Sequence, residues 1–387
     1  MTQALALRSR LRRAGHSVCA AVLGRNGQRA VPDFFLEKIG APVSFVRSPT
    51  FTPDADDRGI RLAATLWRGL RHLPRVPAAL EAIGDRIAQY RPDVVVNFFE
   101  PMAGLFYARY RPQTPMVAIG HQYAFLHPAY RFPPGQRLHR GSTRAFARLT
   151  AWGAARRLAL VLEPLPARPG LTVLPPLLRE AVFTHHRPNP RAPFVLVYVL
   201  NAGYADDIIA WHRTRPAVPL HCFWDRPGAA SIERFDDTLT FHCLDDTKFL
   251  SMMAQARGLA TTAGFESVAE ARYLGTPVLA VPVEGHFEQR CNAHDAARAG
   301  AGCRSTRFNL DRLLSVQDRY TAPDASYRRW VESAGTRVVA ALEEAARGTG
   351  AVVSTEATGT VHASATGDGV VSSAGTPSVH TECNTST

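Results

Sequence analysis

The residues best suited to chemistry lie between Leu244 and Asn292 of this 387-residue chain. Gly258-Leu-Ala-Thr-Thr262 has the apolar character of a buried strand, and Ala263-Gly264 makes a tight turn. Phe265–Leu274 then has helical spacing, stopped by Gly275 and Pro277. A strand that turns through Ala-Gly into a helix leaves the first backbone N–H groups of the helix unpartnered, pointing into the crevice above the sheet. Those donors and the positive helix end can hold a phosphate without a lysine, and Gly264 admits an anion close to the main chain because it has no Cβ. Such a turn is common in α/β folds and is not diagnostic alone.

Its surroundings add weight. Glu270, two turns into the helix, is placed to accept hydrogen bonds from two adjacent ribose hydroxyls. Strand Pro277–Val281 leads to Glu288 and Gln289, an acceptor and an amide suited to sugar hydroxyls, at the strand edge where open parallel sheets bind ligands. A glutamate in the first turn of a helix equally serves the helix dipole, so Glu288 has a structural reading too.

The elements around this segment alternate between short apolar runs and helical patterns, which is α/β architecture. In the first half, Ser17–Leu23, Val43–Val46, Asp93–Phe98, Pro115–Gly120, Arg157–Leu162 and Leu171–Leu174 read as strands, with a helix over Arg75–Tyr90. The run Val94–Val96 lacks polar alternation, as expected of a strand covered on both faces. Pro188, Pro190 and Pro193 mark 185–193 as a linker between domains. A second series follows, with strands at Phe194–Leu200, Leu220–Trp224, Leu239–Cys243, Leu259–Thr262 and Pro277–Val281. Helices are expected at Asp246–Gln255, Phe265–Leu274, Phe287–Arg298 and Ala325–Ala346. Gly348–Thr387 is Gly, Ser, Thr, Ala and Val with few charges, so it buries too little apolar surface to offset its ordering entropy and is expected to be disordered.

The run TTAGFESVAEARYLGTP…PVEGHFEQRCNA, with CLDDTKFLSMMAQARGLA before it, resembles the donor half of GT-B glycosyltransferases of the MurG-like (family 28) and macrolide-glycosyltransferase group. The resemblance is close over Leu239–Gly302 and implies two Rossmann-like parallel-sheet domains facing a cleft. It also implies transfer of a hexosyl group from a nucleotide sugar, uridine being the expected base. By position, the backbone at Leu244 would meet the nucleobase, Ala263, Gly264 and Phe265 the diphosphate, Glu270 the ribose, and Glu288 and Gln289 the donor sugar. Asn201-Ala202-Gly203-Tyr204 would flank the diphosphate from the other side; it departs from the Gly-Gly-Ser type of MurG-like members. Inversion at the anomeric carbon is expected, and the reading needs no cofactor, no metal and no D-x-D motif.

The first half departs from the family pattern. There a strand and a glycine-rich turn bearing a histidine precede the first helix, whereas Met1–Leu7 reads as that helix. A sheet lacking an inner strand exposes ladder groups that must be paired. The expectation is therefore that translation starts upstream or that this copy is impaired. His16 is read as a helix-to-strand turn residue. The candidate general bases are His121, in Ile-Gly-His-Gln-Tyr, and Glu100, in Phe-Phe-Glu-Pro, both at strand ends; each has a helix-capping or acceptor-binding alternative.

Composition narrows the classes. The net charge of +12 is nearly all arginine, with Lys38 and Lys248 the only lysines, as a GC-rich coding bias would also give. No aromatic-plus-basic module or recognition helix is visible, so nucleic acid is not an expected partner. Arg131–Arg157 is dense in arginine around Phe146, Leu149 and Trp152, which reads either as a solvated helix face or as a surface touching anionic lipid. No run reaches the roughly 18–20 apolar residues of a membrane span. The expected compartment is the cytoplasm, with peripheral contact at the inner membrane face a second reading. The expected partners are a nucleotide-sugar donor and an acceptor of unspecified kind, lipid-linked acceptors included. The six scattered cysteines form no C-x-x-C pair. A nucleotide-sugar epimerase and a nucleotide-sugar-binding protein without transfer activity are the rival readings.

Overall fold

The computed structural model describes residues 1–25, 31, 33–48, 76–185, 191–199, 202–226 and 228–356. Asn201, residues 186–190 of the expected linker, residues 49–75 and the chain beyond Glu356 lie outside the described residues. Met1–Thr349 forms one compact unit.

The amino-terminal half runs α1 (Thr2–Arg13), β1 (Ala21–Arg25), α2 (Asp33–Ile39), β2 (Val43–Arg47), α3 (Val76–Tyr90), β3 (Val95–Asn97), α4 (Pro101–Tyr110), β4 (Met116–Gly120), α5 (Arg137–Thr150), β5 (Arg156–Leu160), β6 (Thr172–Leu174) and α6 (Ala181–Thr184). Its strands form two parallel sheets, β1-β2 and β3-β4-β5-β6, and β1 does not pair with β3. The valines at 94–96, expected to be covered on both faces, are only half-buried because β3 is the edge of its sheet. β4, with neighbours on both sides, is buried along its whole length. Helices α4 and α5 approach closely at Gly104, where a Cβ would overlap the Leu149 carbonyl.

The carboxy-terminal half runs β7 (Ala192–Val199), α7 (Ala205–Thr214), β8 (Leu220–Trp224), β9 (Ile232–Arg234), β10 (Leu239–Cys243), α8 (Asp246–Gln255), β11 (Ala256–Thr261), α9 (Phe265–Leu274), β12 (Val278–Ala280), α10 (Phe287–Arg298), β13 (Gly302–Arg304), α11 (Asp311–Gln317), α12 (Ala325–Glu332) and α13 (Ala334–Glu356). Seven strands make one sheet in the order β13-β12-β11-β7-β8-β10-β9, parallel except for β9 at the edge. Inner strands β7, β8 and β11 carry Val, Leu, Phe and Ala buried on both faces, as a doubly covered parallel sheet demands.

The segment expected as one helix over Ala325–Ala346 is two, broken at Ser333, whose hydroxyl donates to the Trp330 carbonyl at 2.6 Å and competes with the helical ladder. The second of them reaches Glu356, past the Gly348 start expected for the disordered tail. One apolar cluster joins the halves, placing Ala6 and Leu7 of α1 and Leu174, Leu177 and Leu178 together with Phe265, Val268 and Leu274 of α9. Arg191, at the start of the second half, donates to the carbonyls of Ala254, Ala256, Leu274 and Gly275. A guanidinium thus satisfies the acceptors at the ends of both α8 and α9, where the helix dipoles favour a cation.

Candidate functional site

The site is built at the carboxyl ends of the parallel strands. β11 ends at Thr261, and Thr262-Ala263-Gly264 carries the chain into α9. The left-handed backbone sits at Ala263, with φ of 59°, while Gly264 is extended at φ −66° and ψ 135°. The sequence therefore has its glycine one position after the residue with the demanding conformation. Asn292 of α10 holds the turn, donating from Nδ2 to the Ala263 carbonyl at 3.1 Å. Sequence reading assigned Asn292 no role; only its place in the polar cluster with Glu288 and Gln289 hinted at one.

Of the helices that begin at this edge, α8 and α10 have side-chain caps. Asp245 caps α8 through the N–H groups of Thr247 and Lys248, and His286 caps α10 through that of Gln289. Helix α9 has none. Its first-turn donors, together with the positive end of its dipole, remain available to an anion.

His121 follows β4 and reaches over from the first half. Its Nε2 lies 3.1 Å from Glu288 Oε1, and its ring stacks on Phe265 with centroids 4.5 Å apart. Gln122 donates to the same Glu288 oxygen at 3.3 Å. Burial works against a charged ring at His121, but Glu288 outweighs it and holds the pKa above the ordinary 6.5. Reciprocally, burial disfavours the Glu288 carboxylate, and His121 overrides it to hold the pKa below the ordinary 4.5. The two groups form a partly buried ion pair bridging the halves of the molecule.

Glu270 is buried and bound through both carboxylate oxygens by Arg179, at 2.6 and 2.7 Å. Arg179 also contacts the Asp246 carboxylate. Burial works against the Arg179 charge, and Glu270 and Asp246 more than restore it. Arg179 escaped sequence reading because it lies 91 positions from Glu270 in a segment without a motif.

The remaining candidates are placed as follows. Leu244 follows β10 and is half exposed. Gly203 lies in a 3-10 turn, Ala202–Tyr204, after β7. Gln289 spends its side-chain carbonyl on the Val283 N–H at 2.8 Å. Glu100 stands apart. It caps α4 by accepting from the Met102 N–H at 3.1 Å, and it accepts from Ser48 Oγ at 2.6 Å, tying the β1-β2 sheet to the larger one. Burial raises its pKa. The structure thus gathers His121, Phe265 and Glu288 at one point, with the Ala263-Gly264 turn beside Phe265, and gives Glu100 a capping role.

Comparison with known proteins agrees with this architecture. The family model for glycosyl transferase family 1 matches residues 6–318. No curated protein sequence matches. Among solved structures, the glycotransferase of kitacinnamycin is similar at 16% identity and a TM-score of 0.59, over 89% of this chain and 95% of that one. MurG of Acinetobacter baumannii is similar at 18% identity and a TM-score of 0.53, over 88% and 95%. Phytolacca americana UGT2, complexed with UDP-2-fluoro-glucose and pterostilbene, is similar at 14% identity and a TM-score of 0.57, over 92% and 96%. At these identities the likeness is one of fold, the GT-B fold.

Proposed function

The chain belongs to glycosyl transferase family 1, and from that premise we propose that it moves a hexosyl group from a nucleoside-diphosphate sugar, UDP being the expected carrier, to an acceptor hydroxyl with inversion. The observation that carries this reading is the uncapped amino terminus of α9 beside the His121–Glu288 pair.

On this reading the diphosphate lies against the first-turn N–H groups of α9. The acceptor oxygen bonds to the anomeric carbon as the bond from that carbon to the diphosphate oxygen breaks, and the electron pair leaves with the nucleoside diphosphate. Fixed main-chain dipoles stabilise that charge without reorganising, so the step needs no metal. His121 takes the acceptor proton. With Glu288 bound at Nε2, Nδ1 is the nitrogen left for that task, and the carboxylate stabilises the imidazolium that forms. Glu270 receives the ribose; each of its oxygens has a second lone pair beyond the one used by Arg179.

The test is to incubate the protein with UDP-hexoses and a panel of hydroxyl acceptors, following release of UDP. The expected result is acceptor-dependent release that falls about a hundredfold or more in His121→Ala. Turnover unchanged in His121→Ala removes the histidine from the mechanism. Tight UDP binding with no transfer to any acceptor leaves a nucleotide-binding protein, and sugar interconversion without an acceptor an epimerase.

A further inference from the structure

A second feature of the amino-terminal half lies away from the cleft. A cavity of about 630 Å3 is lined by Arg144 and Arg148 of α5, Trp152 in the turn after it, Arg157 of β5, and Arg168 before β6, with Leu126 in its wall. Trp152, Arg157 and Arg168 sit before or at the amino-terminal ends of β5 and β6, whereas His121 follows the carboxyl end of β4. Most of the lining therefore stands at the opposite edge of the sheet from His121, and the cavity wall is closed by Leu126, the last residue of the 3-10 turn that His121 opens.

Four guanidinium groups around one cavity repel one another, and proteins ordinarily intersperse carboxylates among such charges. Here, among the described residues, none of the four pairs with a carboxylate. Among the described residues, the one hydrogen bond from these four side chains is from Arg168 to the Leu126 carbonyl at 2.6 Å. Arg144 Nε is buried with no hydrogen-bond partner, a donor left over where natural structures seldom leave one. Burial, followed by crowding from Arg148, Arg140 and Arg168, pulls the Arg144 pKa down. Trp152 is 58% exposed beside them. Planar forks of donors converging on one space match the oxygens of a phosphate, and an aromatic face at the margin suits the organic part of a phosphate ester.

We propose that the Arg144–Arg148–Arg157–Arg168 cavity is an anion site, separate from the cleft, that takes a multiply charged phosphate ester or diphosphate. The phosphate can be that of a lipid headgroup or of a soluble ester. The shared chemistry is bidentate recognition of phosphate oxygens by arginine.

The experiment uses the full chain and has two arms. In the first, calorimetry with inorganic pyrophosphate is run on the wild type and on Arg148→Gln/Arg168→Gln, in UDP-saturated protein so that the cleft is filled, and also without UDP. In the second, the same proteins are spun with vesicles of phosphatidylcholine alone and with added phosphatidylglycerol. Pyrophosphate affinity lost by about tenfold or more in the double variant supports the proposal with a soluble ligand. Sedimentation that needs the anionic lipid, and is lost in the double variant, supports it with a lipid headgroup. Arg148→Lys/Arg168→Lys keeps the charge but loses the forks, so it is expected to recover less than half of the binding. Absence of both pyrophosphate binding and anionic-lipid sedimentation overturns the proposal, as does binding that the Gln variant leaves unchanged. Because neither residue is among those placed in the cleft, UDP affinity serves as the folding control. Absence of UDP binding in the wild type contradicts the reading of the cleft without touching this one, and the melting temperature then serves as the folding control.

Discussion

His121 and Phe265 stack with ring planes 2° apart and centroids 4.5 Å apart, the first residue after β4 lying flat on the first residue of α9. That contact sets the imidazole, and its partner Glu288, beside the helix end proposed to hold the diphosphate. Replacing Phe265 with Leu keeps apolar volume but removes the flat face. We expect a loss of about 1 kcal/mol of stability, read by urea denaturation, and a larger fall in kcat than in UDP affinity.

The His121–Glu288 pair makes activity and stability depend on pH in opposite ways. A base must be neutral, so the acid limb of kcat/KM is expected to have its midpoint above 6.5, because Glu288, helped by Glu266 and Asp295, raises the His121 pKa. In Glu288→Gln burial is left as the main influence, and the midpoint is expected to fall. For stability, the raised histidine contributes fully below pH 6.5 and loses that contribution as pH rises through its folded value. The lowered carboxylate contributes above pH 4.5 and loses its share as pH falls through its own folded value. The pair is therefore worth most between about 4.5 and 6.5. Melting temperatures of wild type and His121→Gln across pH 4 to 9 check this: the difference between them should narrow on the alkaline side.

Arg179 and Glu270 are predicted to be hard to separate. Arg179→Met leaves a buried carboxylate without its counter-charge and is expected to cost about 3 kcal/mol or more. Arg179→Met with Glu270→Leu removes both charges and is expected to recover much of that stability while leaving UDP binding weak. Equilibrium denaturation of the single and double variants, beside UDP titrations, decides it. Additive losses contradict the pairing.

Ala263→Gly removes a Cβ from a left-handed residue and is expected to be neutral or to stabilise by up to about 1 kcal/mol. Asn292→Leu leaves the Ala263 carbonyl without its donor and is expected to destabilise by about 1–2 kcal/mol while weakening nucleotide affinity. In the first half, Gly104→Val is expected to destabilise by about 2 kcal/mol or more, because α4 and α5 must move apart. Thermal melts compare all three directly.

Much of this was legible in the sequence because the second half is locally consistent. The strand–turn–helix through Thr262, Ala263 and Gly264 is signalled by residues adjacent in the chain, and the α9 stop at Gly275 is seen at φ 67°. Short edge strands such as β9 and β13 were not anticipated, since three residues at a sheet margin carry too little periodicity to be seen. The functions of Arg179 and Arg191 were invisible for a different reason. Each acts on partners dozens of positions away, and a lone arginine in an arginine-rich chain has no local signature. Glu100 and His121 looked alike as polar residues at strand ends. Only the packing separates them, with Ser48 and the α4 amide taking one and Glu288 and Phe265 the other.

The central claim is that a diphosphate lies against the main chain at Gly264. That residue has φ of −66°, and a Cβ there meets only Ser267 Oγ at 3.5 Å, an ordinary contact, so the protein itself tolerates a methyl group. Calorimetric titration of UDP into Gly264→Ala therefore isolates the ligand's own need for space. The account predicts an unchanged melting temperature with UDP affinity reduced by about tenfold or more. Wild-type affinity in a folded Gly264→Ala protein contradicts it.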